Sequence, residues 1–329
     1  MDVDAARGRL GMSASREGLV IEGTGGQWRV LTDTGEVVTA SMRGRLKQGR
    51  ADDGGKLKLA VGDHVSVEFT EVMGQVTWAI HAIGPRGGVL ARREPGGRHG
   101  ERIVASNVDQ VVCVFAAANP EPHERMLDRF LIIAEANELR ARVIINKVEL
   151  VDEAATAARF AAYADAGYPV HLVSVKARRG LDAVHAAFAG QVSVVTGPSG
   201  VGKSSLMNAI YPGLTLRVGE VSESVHKGRH TTVGAFLHPI PEGGSIIDTP
   251  GLREVGMWGL PAEHLDACFP EFRAVLGSCR FQDCAHTVVP GCAVRSAIGA
   301  GVSRSRYESY AQLHGELVTD AAERPTGRR

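Results

Sequence analysis

Short stretches of alternating apolar and polar residues fill the chain from about residue 19 to residue 84. Trp28-Arg29-Val30-Leu31 and the run from His64 to Phe69 are two of them, and Thr34-Gly35 and Val61-Gly62-Asp63 provide turns between such runs. A period of two is typical of strands with one buried face, and several short strands between glycine turns are typical of sandwiches and barrels. The pattern predicts a small all-β barrel.

Beyond residue 100 the pattern changes to strands that alternate with amphipathic helices. Residues 124–137 place Leu127, Phe130, Leu131 and Ala134 on one apolar face at helical spacing. Such alternation predicts a mostly parallel sheet with helices on both sides. Between the two regions, residues 85–100 contain two prolines and five glycines, which predicts a linker.

Overall composition adds little to this division into regions. The positions of the charged residues add more. The 329 residues are 44% hydrophobic, enough for two or three cored domains, and the formal net charge is zero. Basic residues nevertheless cluster in two stretches: Arg43, Arg45, Lys47, Arg50, Lys56 and Lys58, and then Arg92, Arg93, Arg98 and Arg102. Each cluster is either a solvated surface or a surface that contacts phosphates.

The amino terminus lacks the apolar core of a signal peptide, and no apolar run approaches the roughly 18 to 20 residues that span a bilayer. We therefore expect a cytoplasmic protein with no membrane contact, whose five cysteines stay reduced or bind metal. Cys113, in an apolar strand, and Cys268, without metal-like neighbours, are expected to be buried and inert.

The other three cysteines form a compact pattern, Cys279-x4-Cys284-x-His286-x5-Cys292. Three thiolates and one imidazole within fourteen residues match a closed tetrahedral zinc site. Four protein ligands leave no open position, so the pattern predicts one structural Zn²⁺.

Gly197-Pro198-Ser199-Gly200-Val201-Gly202-Lys203-Ser204 matches the phosphate-binding P-loop. A predicted strand over residues 191–196 and a predicted helix over residues 203–211 provide the context that this motif requires. Lys203 is expected to reach the β- and γ-phosphates and Ser204 to ligate Mg²⁺, with Ser205 next to them in the nucleotide site.

Asp248-Thr249-Pro250-Gly251 follows an apolar run, so Asp248 is expected at the carboxyl end of a strand, where ligands of open α/β sheets bind. Asp248 would hold Mg²⁺, and the Gly251 N–H would contact a γ-phosphate.

A guanine pocket is predicted from two further segments. Asn146-Lys147-Val148-Glu149 follows a predicted strand, and Ser174-Val175-Lys176 is placed at the end of another. In the common N-K-x-D pattern a carboxylate accepts hydrogen bonds from guanine N–H groups, and Glu149 keeps that carboxylate with one more methylene. Because of this departure, an ATP-using enzyme remains an alternative.

The order of these motifs is unusual. The base-reading segments precede the P-loop, whereas in an ordinary GTPase they follow it. The order indicates a circularly permuted GTPase.

Together with Val61-Gly62-Asp63, Ala105-Ser106-Asn107-Val108-Asp109, Gly228-Arg229-His230-Thr231-Thr232 and Phe269-Pro270-Glu271-Phe272, the chain resembles the RsgA (YjeQ) family of circularly permuted ribosome-biogenesis GTPases. The resemblance implies an OB-fold β-barrel, an α/β P-loop GTPase domain and a mainly helical zinc-binding domain. It also implies a monomer that binds the small ribosomal subunit and its rRNA and hydrolyses GTP to GDP during late maturation. The bounds expected from it are an unstructured terminus at 1–18, the barrel at 19–84, the linker at 85–100, the GTPase domain at 101–258, the zinc domain at 259–318 and a tail at 319–329.

Matching of motifs also suggests catalytic roles. Thr232 would ligate Mg²⁺, with Thr231 as the neighbour that could replace it. His230 would position the attacking water, and Lys203 would stabilise charge in the transition state. Leu252 occupies the place where many GTPases have a water-orienting glutamine. A non-enzymatic RNA-binding module with a structural nucleotide is the other alternative to this function.

Overall fold

The computed structural model describes residues 15–44, 46, 58–72, 75–93, 101–214, 235–249 and 260–323. The strands are β1 (Arg16–Thr24), β2 (Gln27–Thr32), β3 (Val37–Met42), β4 (His64–Val72), β5 (Gln75–Ile83), β6 (Val89–Arg93), β7 (Glu101–Ser106), β8 (Gln110–Ala116), β9 (Arg140–Asn146), β10 (Val170–Leu172), β11 (Gln191–Thr196), β12 (Phe236–Pro239) and β13 (Gly244–Asp248). The α-helices are α1 (Glu124–Ala136), α2 (Glu153–Asp165), α3 (Leu181–Phe188), α4 (Lys203–Ile210), α5 (Ala293–Ser296) and α6 (Arg304–Glu323).

The amino-terminal strands close into a five-stranded barrel. They hydrogen-bond in the order β1-β2-β3-β5-β4, and β4 pairs back with β1. Alternate residues such as Val20, Val30, Val67 and Ile80 point inward and are fully buried. The predicted β-barrel is confirmed, with the five strands that an OB-fold has.

A six-stranded sheet forms the centre of the molecule, in the order β10-β9-β8-β11-β13-β12. The first five strands are parallel and β12 is antiparallel to β13. Leu127 of α1 and Phe160 of α2 pack on one face, whereas Phe188 of α3 and Leu206 of α4 pack on the other. The predicted α/β architecture is confirmed.

Barrel and central sheet are joined in two places. Glu22 of β1 pairs with Phe236 of β12, so the hydrogen-bonded ladder continues from the barrel into the sheet. In the second joint Asn107 donates to the Gly62 carbonyl at 2.8 Å. Gly62 has a φ of 93°, and a Cβ there would lie 2.2 Å from the Ser106 carbonyl oxygen. The close approach therefore requires glycine.

The carboxyl-terminal region consists of 3₁₀ turns at Ala262–His264, Asp266–Cys268 and Pro270–Phe272, followed by α5 and α6. Phe269, Phe272 and Tyr310 form its aromatic core. This region is mainly helical, as expected.

A buried arginine fixes this region to the central domain. Arg306 of α6 donates through Nη1 to Asp128 of α1 at 2.5 Å and through Nε to Glu271 at 2.7 Å. All three side chains are at most 4% exposed. The guanidinium also lies 4.5 Å from the centre of the Phe269 ring.

Three expected boundaries differ in the structure. Residues 16–18, expected in the unstructured terminus at 1–18, begin β1, because Arg16 and Gly18 pair with β4. The linker expected at 85–100 contains β6, which pairs with β7 and buries Leu90. The tail expected from residue 319 continues α6 as far as Glu323. The other domain boundaries stay predictions. No described helix is long and apolar enough to cross a membrane.

Candidate nucleotide-binding site and metal centre

The predicted P-loop lies between β11, which ends at Thr196, and α4, which begins at Lys203. Gly197, Gly200 and Gly202 have φ values of 137°, 78° and 93°, which side chains disfavour. A Cβ on Gly197 would lie 2.0 Å from the Val114 carbonyl oxygen on the adjacent strand. The strand, loop and helix predicted around the motif are confirmed, and the amino end of α4 faces the loop.

Lys203 reaches back over this loop. Its Nζ donates to the carbonyls of Gly197 at 2.8 Å and Pro198 at 2.6 Å. Ser204 and Ser205 follow on the first turn of α4, half-buried and exposed respectively. A phosphate at the loop would offer the ammonium a charged acceptor in place of neutral carbonyls.

Asp248 lies at the carboxyl end of β13, where it pairs in register with Val195 of β11. The P-loop leaves β11 two residues later, so Asp248 and the loop share one edge of the sheet. Beside Asp248, the Thr249 hydroxyl is buried without a hydrogen-bond partner in the described ranges. His230, Thr231, Thr232, Gly251 and Leu252 lie outside the described residues, so their roles stay predictions.

Asn146 ties the P-loop to the second base-reading segment. Its side chain is 2% exposed, donates to the Val201 carbonyl at 2.9 Å and accepts from the Val175 N–H at 3.4 Å. A Cβ on Gly202 would lie 2.5 Å from the Asn146 amide nitrogen. The segments from 146–149, 174–176 and 197–204, far apart in the chain, therefore meet as predicted. The strand before Ser174, β10, ends at Leu172 and does not extend to residue 174. Residues 174–179 instead form a turn that is closed by an antiparallel backbone β-bridge between Ser174 and Arg179.

Lys147 adopts a left-handed conformation with a φ of 65°, which turns its side chain over the P-loop. Its Nζ donates to the Gly200 carbonyl at 2.7 Å and also contacts the Asn119 carbonyl. Asn119 was not anticipated from the sequence, because a backbone carbonyl contact leaves no trace in residue type.

Glu149 presents an acceptor that no described group uses. Its Oε2 atom is buried and has no hydrogen-bond partner among the residues described. Burial acts to raise the pKa of this carboxyl, but a Ser174 hydrogen bond and the charges of Lys176 and Arg179 hold the pKa below its usual value. The Oε2 atom therefore remains as a charged acceptor, which is what the N–H donors of a guanine edge would require.

The four predicted zinc ligands converge. Their ligating atoms lie within 4.8 Å of one another. Sγ of Cys279 is 3.5 Å from Nδ1 of His286 and 4.0 Å from Sγ of Cys292. Zinc–sulfur bonds of about 2.3 Å in a tetrahedron place sulfur atoms roughly 3.8 Å apart, so the cluster has the size of a zinc site.

Asp266 supports this cluster from outside. Its Oδ2 lies 3.2 Å from Nε2 of His286, which leaves Nδ1 facing the thiols. Metal-bound histidines commonly hold a carboxylate on the other ring nitrogen. The sequence alone did not indicate Asp266, because an aspartate twenty residues from its partner has no characteristic spacing.

The remaining cysteines are buried free thiols, as predicted. Burial raises the pKa of Cys113, and burial together with nearby carboxylates raises the pKa of Cys268 to about 12. Both thiols are therefore protonated and unreactive at neutral pH.

Comparison with known proteins bears on what this site does. The family model described as RsgA GTPase matches residues 83–258. A protein of Gemmatimonas aurantiaca named small ribosomal subunit biogenesis GTPase RsgA is 58% identical over 308 residues, covering 93% of this chain and 99% of that protein. The chain belongs to the RsgA family. A Shewanella oneidensis protein of the same name is 37% identical and covers 93% of this chain and 85% of that protein.

Solved structures of RsgA-like proteins agree with the fold. The crystal structure of YjeQ from Thermotoga maritima is 31% identical, with a TM-score of 0.73 and coverage of 96% of this chain and 100% of that chain. The structure of YloQ, described as a circularly permuted GTPase, is 28% identical, with a TM-score of 0.69 and coverage of 93% and 96%. The predicted permutation is thereby confirmed.

RsgA-family proteins are GTPases, so this chain is an enzyme that hydrolyses GTP. That membership excludes both the ATP-using enzyme and the non-enzymatic nucleotide-binding module considered from the sequence. GTPase activity also entails the use of GTP, GDP and Mg²⁺.

Proposed function

We propose that this GTPase binds the small ribosomal subunit and acts in its late maturation, with turnover stimulated by the subunit. The names of its relatives support this role. The strand pairing of β12 supports it further. This strand follows the predicted switch threonines and pairs with β13 on one side and with β1 of the barrel on the other. The nucleotide site and a candidate RNA-binding barrel thus share one hydrogen-bonded sheet.

In the proposed site, residues 197–205 hold the phosphates of GTP, while Asn146, Lys147 and Glu149 hold the guanine beside the 174–176 loop. Ser204, Thr232 and Asp248 would hold Mg²⁺. The bound ion would neutralise charge on the β- and γ-phosphates.

Hydrolysis would proceed by in-line attack of water on the γ-phosphorus, with cleavage of its bond to the β–γ bridging oxygen. His230 orients the water, since Leu252 cannot. Lys203 leaves its contacts with the Gly197 and Pro198 carbonyls and donates to the phosphate oxygens, where negative charge is concentrated.

Cys279, Cys284, His286 and Cys292 would hold one structural Zn²⁺. The ion would cross-link loops that otherwise bury few apolar groups. We further expect the protein to act as a monomer in the cytoplasm, where the small ribosomal subunit is assembled.

The decisive experiment measures GTP hydrolysis with purified small subunits, using large subunits as the matched control. Activating partners of GTPases raise turnover by orders of magnitude, so we expect small subunits to stimulate turnover by about tenfold or more. Equal effects of the two subunits would contradict the proposal. Lys203→Ala should abolish nucleotide binding, which shows that turnover belongs to this site.

A further inference from the structure

A basic cluster lies at the amino end of the central sheet, the end opposite to the nucleotide site. It consists of Arg140 and Arg142 on β9 and His171 on β10, here called the amino-edge cluster. The two arginines alternate along the strand and therefore share one face. Arg140 lies six positions before Asn146 along β9, or about 20 Å, and Arg142 lies four positions before it, or about 13 Å, so the cluster is not part of the nucleotide pocket.

Neutral groups hold the Arg142 guanidinium in place. Nη1 of Arg142 is 2.6 Å from Nε2 of His171, and Nε is 3.3 Å from the Gln110 side-chain oxygen. The Gln110 amide in turn donates to the Ala187 carbonyl at 2.7 Å and to the Ser193 hydroxyl at 2.9 Å, which fixes its oxygen toward Arg142. Because a guanidinium only donates, His171 accepts at Nε2 and carries its proton on Nδ1.

The Arg140 guanidinium is also held by neutral groups. Arg140 donates to the Gln191 side-chain oxygen at 2.5 Å and to the Asp109 carbonyl at 3.3 Å. Each arginine has five N–H groups and uses two of them in these contacts. About three donors on each remain, together with the Nδ1–H of His171, and these groups include no acceptor.

No described carboxylate lies within ion-pair distance of these two arginines. Within the described ranges neither Arg140 nor Arg142 forms an ion pair, whereas Arg159 and Arg179 of the same domain pair with glutamates. Burial and the charge of Arg140 lower the pKa of Arg142, and burial and the charge of Arg142 lower the pKa of His171. The cluster is thus a fixed set of donors whose mutual repulsion an anion would relieve.

We propose that the amino-edge cluster binds a phosphate group of an RNA backbone. Paired, prepositioned guanidinium groups match phosphate oxygens in both charge and geometry. Arg140 is exposed, and Arg142 and His171 are half-buried, so the cluster lies open on the surface, where a polyanion can reach it. A small anion at such an open site would be screened by solvent, whereas a polymer brings many phosphates at once.

Basic residues also occur in the sequence of a neighbouring hairpin. The β6–β7 hairpin docks close by, since the Ala91 N–H donates at 3.0 Å to Asn137, three residues before Arg140. Arg92, Arg93 and Arg102 belong to the strands of this hairpin. Only the assignment of the RNA as ribosomal rests on the proposed function; the phosphate site itself does not.

The test is the double variant Arg140→Gln/Arg142→Gln, with Arg129→Gln/Arg159→Gln as the control that removes the same charge from ion-paired positions outside the nucleotide site. Binding to purified small subunits and to a synthetic RNA hairpin is measured over a salt series. Loss of one phosphate contact should reduce the slope of log affinity against log salt by about 0.7 to 0.9 and weaken binding about tenfold at low salt. The control should keep the slope, and both variants should keep GTP affinity and basal turnover.

An unchanged slope with both RNA probes would overturn the proposal. If the double variant lost binding to a polyglutamate peptide while its RNA binding stayed unchanged, the site would recognise an acidic protein. That result would also overturn the proposal. Should the double variant not fold, Arg140→Gln alone, at an exposed position, must reduce the slope. RNA binding that depends on the cluster, without any stimulation of GTPase activity by subunits, would keep this inference and reject the proposed function.

Discussion

Replacing Arg306 by methionine should loosen the carboxyl-terminal region from the GTPase domain. The substitution keeps much of the side-chain volume but removes the cation between Asp128 and Glu271. Both carboxylates stay buried at the contact between α1, α6 and the 270–272 turn. Each carboxylate side chain is at most 4% exposed.

The expected loss follows from this burial. Removing one partner of a buried ion pair costs about 3–5 kcal/mol, because a buried charge is left uncompensated. The matched control is Arg159→Met, since Arg159 is 38% exposed and pairs with Glu121 and Glu124 at the surface. Exposed pairs of this kind contribute about 0–1 kcal/mol. The two variants should therefore differ by about 2–5 kcal/mol.

The loss should also depend on pH. Burial already raises the pKa of Asp128, against the opposing charge of Arg306, and removing that charge raises the pKa further. A carboxyl with a raised pKa in the folded state binds more protons folded than unfolded, so stability falls as pH rises. The penalty in Arg306→Met should be largest at neutral and higher pH and should shrink as Asp128 becomes protonated.

Amide hydrogen exchange of residues 304–323 measures the opening free energy of α6 directly, without assuming that the whole chain unfolds in one step. We expect faster exchange in α6 of Arg306→Met at pH 8, with partial recovery of protection at pH 5.5 after correction for intrinsic rates. Equal protection in the two variants, or a penalty that grows on acidification, would refute the reasoning.

Three further predictions concern the proposed sites. Cys284→Ala should release about one zinc per chain, measured by metal analysis, and destabilise the carboxyl-terminal region while GTP binding survives; full zinc retention would contradict this. His230→Ala should keep GTP affinity but lose subunit-stimulated turnover, and unchanged stimulation would remove His230 from the mechanism. Replacing Arg43, Arg45 and Lys47 by alanine should flatten the salt dependence of subunit binding without changing GTP affinity; an unchanged slope would argue against an RNA-contacting barrel.

Arg43 is expected to contribute less to RNA binding than its two basic neighbours. It pairs with Glu68 at 2.6 Å on the barrel surface, whereas Arg45 and Lys47 lie outside the described residues. Because Arg43 already has a charged partner, its single substitution should change the slope less than the triple substitution does. Binding by the Arg43→Ala variant measures this difference.

Features with short-range signals could be predicted from the sequence. The P-loop lies within eight consecutive residues, and the four predicted zinc ligands lie within fourteen, so spacing alone indicated both. The alternation of residues in β2 and the helical spacing in α1 likewise mark their buried faces locally. In each case one local geometry, a tight glycine loop, a tetrahedral ligand set or a repeating face, restricts which residues can stand at which spacing.

Features that depend on distant pairing required the tertiary structure. The glycine- and proline-rich segment around β6 looked like a linker because its strand is stabilised by β7 and by burial of Leu90. Nothing in the local pattern links Arg306 to Asp128, which lies 178 residues earlier in the chain. Arg142 and His171 likewise appear unrelated until parallel pairing of β9 and β10 places them side by side. Hydrogen bonds and ion pairs act over a few ångströms in space at any separation along the chain, so only the fold decides which of these groups meet.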